Sequence, residues 1–486
     1  RLKHTLSPSV THKAEQAQVP SLKGREDLRD LCLVTIDDET ARDFDDAVWA
    51  QPDQDPKNPD GWHLIVAIAD VAYYVRAHDE IDQSARERGN SVYLPDQVLP
   101  MLPEGLSNDM CSLRPGEDRA CLAVHLFFNP SGELIRYRFC RALMRSHARL
   151  TYTIVQKVID GVPCRLPQGV SKKFILTLYK AYQVLRAARE KRGALDLDIP
   201  ETKLIIDEKG NFQYIGIRQR FSAHELIEEF MIAANVAAAT FLESKNIPLL
   251  YRVHDKPSAD KILALEKFLA RAKVRVKLGQ EMTPHILNDM IKQASETSYG
   301  SIIQDLILRS QAQAFYTPEN IGHYGLGLEK YCHFTSPIRR YADLIVHRGI
   351  LCALGVKTSD ALSQADTHDF KDLSRHLSEC ERRATQAERD TQGCYISLYL
   401  KARIGEVFDT LITGVAKFGL FVTIPELNAT GILLASHLSG DYYIYDDKNL
   451  CLIGRRKKKK YELGETLRTK LIKAESHTGS LEFILA

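Results

Sequence analysis

Asp37-Asp-Glu-Thr-Ala-Arg-Asp43-Phe-Asp45-Asp46 is the stretch on which the reading of this chain turns. Six of its ten residues are acids, and Arg42 is the only cation among them. It follows an apolar run, Leu31-Cys-Leu-Val-Thr-Ile36, whose composition predicts a buried strand. Carboxylates hung on the end of a core strand repel one another in a lowered dielectric. At ~4 Å and an effective dielectric of ~20, each close pair costs about 4 kcal/mol. One reading is a solvated acidic turn that relaxes into water. The other is a cluster neutralised by a divalent cation, and an oxygen-only donor set points to magnesium or manganese rather than zinc. An EF-hand loop is excluded, because no glycine stands at the sharp turn and no glutamate at the twelfth position.

The chain has 486 residues, too many for one core, so two or more domains are expected. Hydrophobic residues make up 44% and charged residues 26%, the balance of a globular protein. No apolar stretch nears the ~18 residues that cross a bilayer, so no membrane association is expected. The opening Arg-Leu-Lys-His lacks a signal-peptide pattern and an initiator Met, which suggests a fragment of something longer. Ten cysteines are widely spaced with no Cys-x-x-Cys, arguing against a zinc site of that kind and for free thiols in a reducing cytoplasm. A net charge of +2 is uninformative about nucleic acid, but its distribution is not. Acids crowd residues 37–46, and Arg455-Arg-Lys-Lys-Lys-Lys460 is an unbroken run of six cations. A cation-holding centre in a chain with a basic tract suits a polyanionic substrate cut at a metal.

Residues 1–24 are polar and aperiodic and read as a linker from a missing N-terminal region. Beyond them come β-type runs, Trp62-His-Leu-Ile-Val-Ala-Ile-Ala69 among them. Cys121–Phe128 and Leu134–Phe139 flank Asn129-Pro-Ser-Gly132, a hairpin signal. Helices follow: one capped by Ser171 and running to Gly193, one opened by the capping box Ser222-Ala-His-Glu225 and running to about Asn246, one from Ser258, and a long one over 369–402. Pro337 fixes a turn before an amphipathic helix from Arg340 to Leu351. The order predicts an α+β domain over 25–402, a mixed sheet covered by helices. From 403 to 486 short strands broken by glycine (407–412, 419–424, 467–472 and 480–485) predict a small all-β barrel of OB-fold type.

The ordered motifs go further than composition. Thr35-Ile-Asp37 with Ala41-Arg-Asp43-Phe-Asp45-Asp46-Ala47 resembles the active-site signature of the ribonuclease II/ribonuclease R family. The resemblance continues through Ile68-Ala-Asp-Val71, Ser91-Val-Tyr93-Leu-Pro95, Met101–Ser107, Cys111-Ser-Leu-Arg114 and His224–Met231. It runs on through His254–Ser258, His323–Leu328, His333-Phe-Thr-Ser-Pro-Ile-Arg339-Arg340-Tyr341 and Ala387-Glu388-Arg-Asp390. Residues 192–194, 254–257 and 333–340 look more like ribonuclease R than its sister branch. The resemblance implies a processive, magnesium-dependent 3′→5′ exoribonuclease, with manganese as a substitute, that releases nucleoside 5′-monophosphates. Asp37, Asp43, Asp45 and Asp46 would hold two cations flanking the last phosphodiester, with Asp45 positioning the attacking water or second metal. Asp38 and Glu39 match no catalytic position and read as solvated spacers.

The same resemblance assigns Arg339 to the scissile phosphate and brings Arg340 into the RNA-binding set. Tyr93 would stack on the 3′-terminal nucleotide, in place of an ordinary core role, and Glu228 and Glu388 would contact that nucleotide rather than sit on solvated helix faces. The second stacking aromatic often found near Gly193–Asp198 is absent here. The last domain carries Gly414-Val-Ala-Lys-Phe418-Gly-Leu-Phe421-Val422, similar to S1-type OB-folds, and nominates Phe418, Phe421 and His437 as RNA contacts, with Tyr442 and Tyr443 less well supported. Leu434 stands where many such domains have a histidine. The partner implied is single-stranded RNA or RNA with a 3′ overhang, acted on by a monomer. Two rivals remain open: a catalytically inactive relative that binds RNA or regulates, and a metal-dependent DNA exonuclease.

Overall fold

The computed structural model describes residues 5–206, 212–272, 274, 281–295, 297, 299–438, 440–446 and 450–486. Its larger layer is a seven-stranded sheet in the order β1-β8-β7-β4-β3-β2-β9. The strands are β1 (Glu26–Asp27), β2 (Val34–Asp37), β3 (Asp46–Pro52), β4 (Trp62–Ala69), β7 (Asp118–Phe128), β8 (Leu134–Arg145) and β9 (Ala148–Thr151), with a small hairpin of β5 (Val92–Tyr93) and β6 (Val98–Leu99) beside them. Neighbours are antiparallel except the outer pairs β1·β8 and β2·β9, which are parallel. The mixed sheet is thus as expected. The β7–β8 turn forms as its sequence predicts, with Asn129 Oδ1 accepting from the Ser131 and Glu133 amides.

Helices α1 (Pro8–Glu15), α2 (Val71–Tyr74), α3 (Glu80–Arg88), α4 (Tyr152–Ile159), α5 (Lys172–Arg192) and α6 (Ser222–Ser244) precede α7 (Ala259–Arg271), α8 (Pro284–Ser295) and α9 (Gly300–Ser310). After them come α10 (Tyr341–Ala353), α11 (Gln364–His368) and α12 (Phe370–Lys401). Within residues 1–24, α1 is capped by Ser7 and buries Val10 and Ala14 against the main core, so this stretch carries structure its polar composition did not announce. Helix α5 begins and ends as its caps predict, at Ser171 and at Gly193 with φ +77°. Helix α6 does not use Ser222 and Glu225 as a capping box. Instead the His224 ring accepts from the Phe221 amide at 3.0 Å, and the Ala223 amide donates to Gln156. Its alanines Ala234, Ala237, Ala238 and Ala239 are buried where it lies on β4 and β7.

Helix α10 corrects the amphipathic expectation. Every residue from Tyr341 to Leu351 is buried, because α2, α6 and α12 surround it. Its charges are satisfied internally: Arg348 donates to Asp82 at 2.7 Å and to the Val75 carbonyl at 2.9 Å.

The C-terminal part closes into a five-stranded barrel, β14 (Val407–Ala416), β15 (Gly419–Ile424), β16 (Ala429–Leu434), β21 (Ser480–Leu485) and β20 (Thr466–Glu475). A separate three-stranded sheet, β17 (Tyr443–Asp446), β18 (Cys451–Gly454) and β19 (Lys460–Glu462), is inserted between β16 and β20. Two further pairs, β10 (Glu201–Ile206) with β11 (Phe212–Arg218) and β12 (Tyr251–Val253) with β13 (Phe315–Thr317), complete the strands used below. The barrel interior is continuous with α7–α9: Leu287, Met290 and Ile303 share one apolar cluster with Ile412, Leu420 and Phe483. All ten cysteines are free, and among the described residues no helix is long and apolar enough to cross a membrane.

Candidate active site

Strand β2 ends on Asp37 and β3 begins on Asp46, so residues 38–45 form the return between two antiparallel strands. Backbone ties shape the return. The Ser112 hydroxyl donates to the Arg42 carbonyl at 2.7 Å and accepts from the Phe44 amide at 3.0 Å. The Leu113 amide donates to Phe44 and the Ala69 amide to Asp45, at 2.9 and 2.8 Å. From β9, Arg149 donates to the carbonyls of Asp38 and Glu39. Neither of those acids is a free spacer: Asp38 pairs with Arg218 at 3.5 Å, and Glu39 accepts from Thr153 at 2.6 Å.

The aspartates behave as a crowded, dehydrated set. Burial raises the Asp37 carboxyl to about 8, with Asp46 and Asp43 adding repulsion against the pull of Arg149. Burial also raises Asp46, to about 6, with Arg339 opposing it. Asp45 is pushed well above the usual carboxylate range by the same dehydration. Tyr152, at the head of α4, has its phenol raised by burial and then by Asp46 and Asp37, which puts it beside the cluster.

A second wall comes from residues 336–340, 293 residues away in sequence. The Ile338 amide donates to Asp45 Oδ1 at 2.9 Å, and Arg339 Nε stands 4.0 Å from Asp45 Oδ2. Arg339 uses one nitrogen on the Ser336 hydroxyl at 3.1 Å and keeps its half-exposed fork facing outward. Its neighbour differs. Arg340 donates both arms to Asp343 at 2.8 Å, and the buried Asp343 also accepts from the Ser336 amide at 2.7 Å.

Tyr93 links the two walls to α12. Its phenol donates to Asp43 at 2.7 Å, and its amide donates to Glu388 Oε1 at 2.8 Å. Burial raises the Glu388 carboxyl, although that amide and Arg339 act against it. Tyr93, Arg339, Arg340 and Glu388 line a cavity of ≈ 210 Å³. A second cavity of ≈ 290 Å³ shares Tyr93 and Glu388 and adds Asp38, Lys203 and Arg218 from the β10–β11 side. Glu228 is not brought there: it lines neither cavity and accepts from Arg189 and Arg220.

On the barrel, Phe418 is 54% exposed and Phe421 meets it edge-on at 5.9 Å. A side chain on Gly414 would come within 2.9 Å of the Phe421 ring, so this glycine is what allows the ring to lie across β14. The turn at residues 435–437 abuts them, the Ala435 amide donating to the Phe418 carbonyl, and His437 is half-buried with Nδ1 3.7 Å from Glu482. Of the paired tyrosines, Tyr442 is 70% exposed, while Tyr443 is buried against Tyr461 and is not available to stack.

The donor set fits a hard divalent cation. All four side chains offer oxygen only, and Asp37 Oδ2 is buried with no hydrogen-bond partner. Three of the carboxyls are held up by dehydration, a condition that bound positive charge reverses. No three of the aspartates have ligand atoms within 4.8 Å of one another among the described residues. Sequence reasoning missed Tyr152, Arg149, Asp343 and the role of Ser112. Only Ser112 lay in a quoted motif; the others act through contacts that no local pattern encodes.

Residues 25–355 match the RNB domain and residues 401–483 the S1 RNA binding domain. The chain is 39% identical to ribonuclease R of Escherichia coli over 98% of its own length and 60% of that protein's. It is equally similar, at 39%, to ribonuclease R of Thermotoga maritima, over 96% of this chain and 65% of that one. The chain therefore spans about three-fifths of the length of these curated relatives. A solved structure of Mycoplasma genitalium RNase R in complex with ribose-methylated single-stranded RNA superposes with a TM-score of 0.92 at 28% identity, covering 100% of this chain and 76% of that one.

Proposed function

The chain belongs to the ribonuclease II/ribonuclease R (RNB) family, and from that premise we propose that it is a processive 3′→5′ exoribonuclease releasing nucleoside 5′-monophosphates from single-stranded RNA or RNA with a 3′ overhang. The observation that carries this reading is the convergence of Arg339, Tyr93 and Glu388 on the aspartates of the β2–β3 return.

In this reading Asp37, Asp43, Asp45 and Asp46 hold magnesium, with manganese as a substitute. The metal, when bound, supplies activation of water and stabilisation of the departing 3′-oxygen. Asp45 has a second task visible in its contacts: it accepts from the Ile338 amide and faces Arg339, so it sets the arginine's distance from the carboxylates. Arg339 then offers its outward N–H groups to the scissile phosphate, whose negative charge grows in the transition state. A donor in that position is worth ~3–4 kcal/mol. Tyr93 presents its ring to the terminal base, and a ring face reads any base. Glu388, an acceptor held by the Tyr93 amide, suits ribose hydroxyls, which DNA partly lacks. Exposed Phe418, with part-buried Phe421 beside it, and residues 455–460 grip RNA outside the catalytic cavity, which keeps the strand bound between cuts.

The test is an assay on 3′-overhang RNA with magnesium, with a 3′-phosphate-blocked RNA and the matching DNA as controls. Stepwise monophosphate release from RNA alone is the expected result. Tight binding without release would favour an inactive RNA-binding relative, and equal loss of DNA would favour the DNA exonuclease. Asp45→Asn should abolish turnover while leaving RNA bound; near-normal turnover in that variant would remove the role given to Asp45.

A further inference from the structure

One cluster of ligand-type side chains lies outside this machinery. Glu26 on β1, His125 on β7 and Cys140 on β8 each offer one atom, and the three atoms lie within 4.8 Å of one another, the only such group among the described residues. Strand register explains the grouping. Glu26 pairs with Ala142, and His125 pairs with Arg138, so Cys140 projects between them from the same face. That face is not the aspartates' face. His125 pairs with Ile65, which pairs with Trp49, three residues from Asp46, and alternation puts Trp49 and Asp46 on opposite sides of the sheet.

We propose that Glu26, His125 and Cys140 form a second metal site, for a thiophilic divalent ion of the zinc type, that fastens edge strand β1 to β7 and β8. The site shows an open ligand. His125 is 6% exposed, yet its Nε2 makes no hydrogen bond and points toward Glu26 Oε1 at 3.4 Å. Its Nδ1 stands 3.1 Å from Nε2 of His63, so the second ring nitrogen of a metal-bound His125 has an orienting acceptor, here an imidazole in place of the usual carboxylate, carbonyl or water. His63 is itself fixed, stacked on Phe127 at 4.3 Å. Burial lowers both imidazoles to about 4, so they are neutral and able to ligate near pH 7. One nitrogen, one sulfur and one oxygen ligand is a zinc-type set, not a magnesium one.

Loading has a clear cost and a clear proton balance. Burial, then Glu26, raises the Cys140 thiol to about 12, so it is protonated without metal. On binding, the sulfur–hydrogen bond breaks, the proton goes to solvent and the thiolate electron pair ligates the ion. Arg138 is the competitor, donating to both Glu26 oxygens at 2.6 and 3.0 Å. Its side chain is half exposed and turns into water when the carboxylate changes partner.

The experiment titrates the metal-stripped full chain with cobalt(II) in excess magnesium, which keeps the oxygen-ligand centre occupied, and then competes with zinc. The expected result is one equivalent of cobalt with a thiolate–cobalt charge-transfer band that zinc removes. Cys140→Ser and His125→Ala should lose the band. His63→Ala should weaken binding about 10–100-fold. Arg138→Ala should tighten it, an effect a purely structural hydrogen-bond network does not predict. No band at one equivalent, or a band that survives Cys140→Ser, overturns the site. If the Cys140 or His125 variant fails to fold by circular dichroism, the exposed Arg138→Ala and Glu26→Gln decide: unchanged cobalt affinity in both overturns it.

Discussion

Asp37 holds its proton to about pH 8 in the folded, metal-free chain, against 3.8 for an ordinary aspartate, chiefly because it is buried and then because Asp46 repels it. The folded state therefore binds more protons than the unfolded one between those values, and stability falls as pH rises through that window. Chemical denaturation in chelator should show Asp37→Asn gaining stability over the parent chain as pH rises from 5 to 8, a comparison in which the buried histidines cancel, and magnesium should shrink that difference. Asp37→Asn should stabilise the metal-free protein at pH 8 by about 1–2 kcal/mol while ending turnover. Adjacent arginines give a second contrast. Arg339→Ala should change stability by less than about 0.5 kcal/mol but lower kcat by roughly 10²–10³. Arg340→Ala strands the buried Asp343 and should cost about 3–5 kcal/mol in a denaturant melt. The sequence places both in one motif; only the contacts separate the outward arginine from the structural one.

At the scale of the element, the candidate site is two loops pinned from behind. The acidic return is held by Ser112, and the arginine loop by Asp343 and by Asp45 itself. Ser112→Ala removes one donor and one acceptor from the return and should destabilise the protein by about 1–3 kcal/mol. It should also lower kcat more than it changes RNA affinity, because the aspartates move while Tyr93 and the barrel remain. Unchanged kcat in a folded Ser112→Ala protein would mean that the return holds its shape without this tie. Strand β4, the caps of α5 and the hairpin turn were legible because a short continuous apolar run and capping residues such as Ser171 and Gly193 act locally, whereas the start of α6 was set by a contact with Gln156 from α4. Helix α10 was misread as amphipathic for the complementary reason: whether a helix has a wet face depends on its neighbours, and here three helices enclose it.

Over the whole molecule, the barrel shares an apolar core with α7–α9, the seven-stranded sheet has its own, and α12 joins them, giving Leu373 and Leu377 to the sheet's core and Ile396 and Leu400 to the barrel's. Phe418→Ala should weaken single-stranded RNA binding by about 1–3 kcal/mol with little change in kcat at saturating RNA. Neutralising residues 455–460 should flatten the salt dependence of binding by about 0.7 in log–log slope for each phosphate left without its cation. An unchanged slope would show that this run is only solvated. The sequence by itself determined the α+β layer followed by a small barrel and the acidic return at the end of a buried strand, because hydrophobic period, turn chemistry and motif order are written along the chain. Tertiary structure alone decided which side chains spend their charge inward. It committed Arg340 to Asp343, Glu228 to two arginines and Asp38 to Arg218, buried Tyr443, and set Arg339 against Asp45. A charge's role is fixed by the nearest opposite charge and by the water excluded around it, and both depend on residues far apart in sequence.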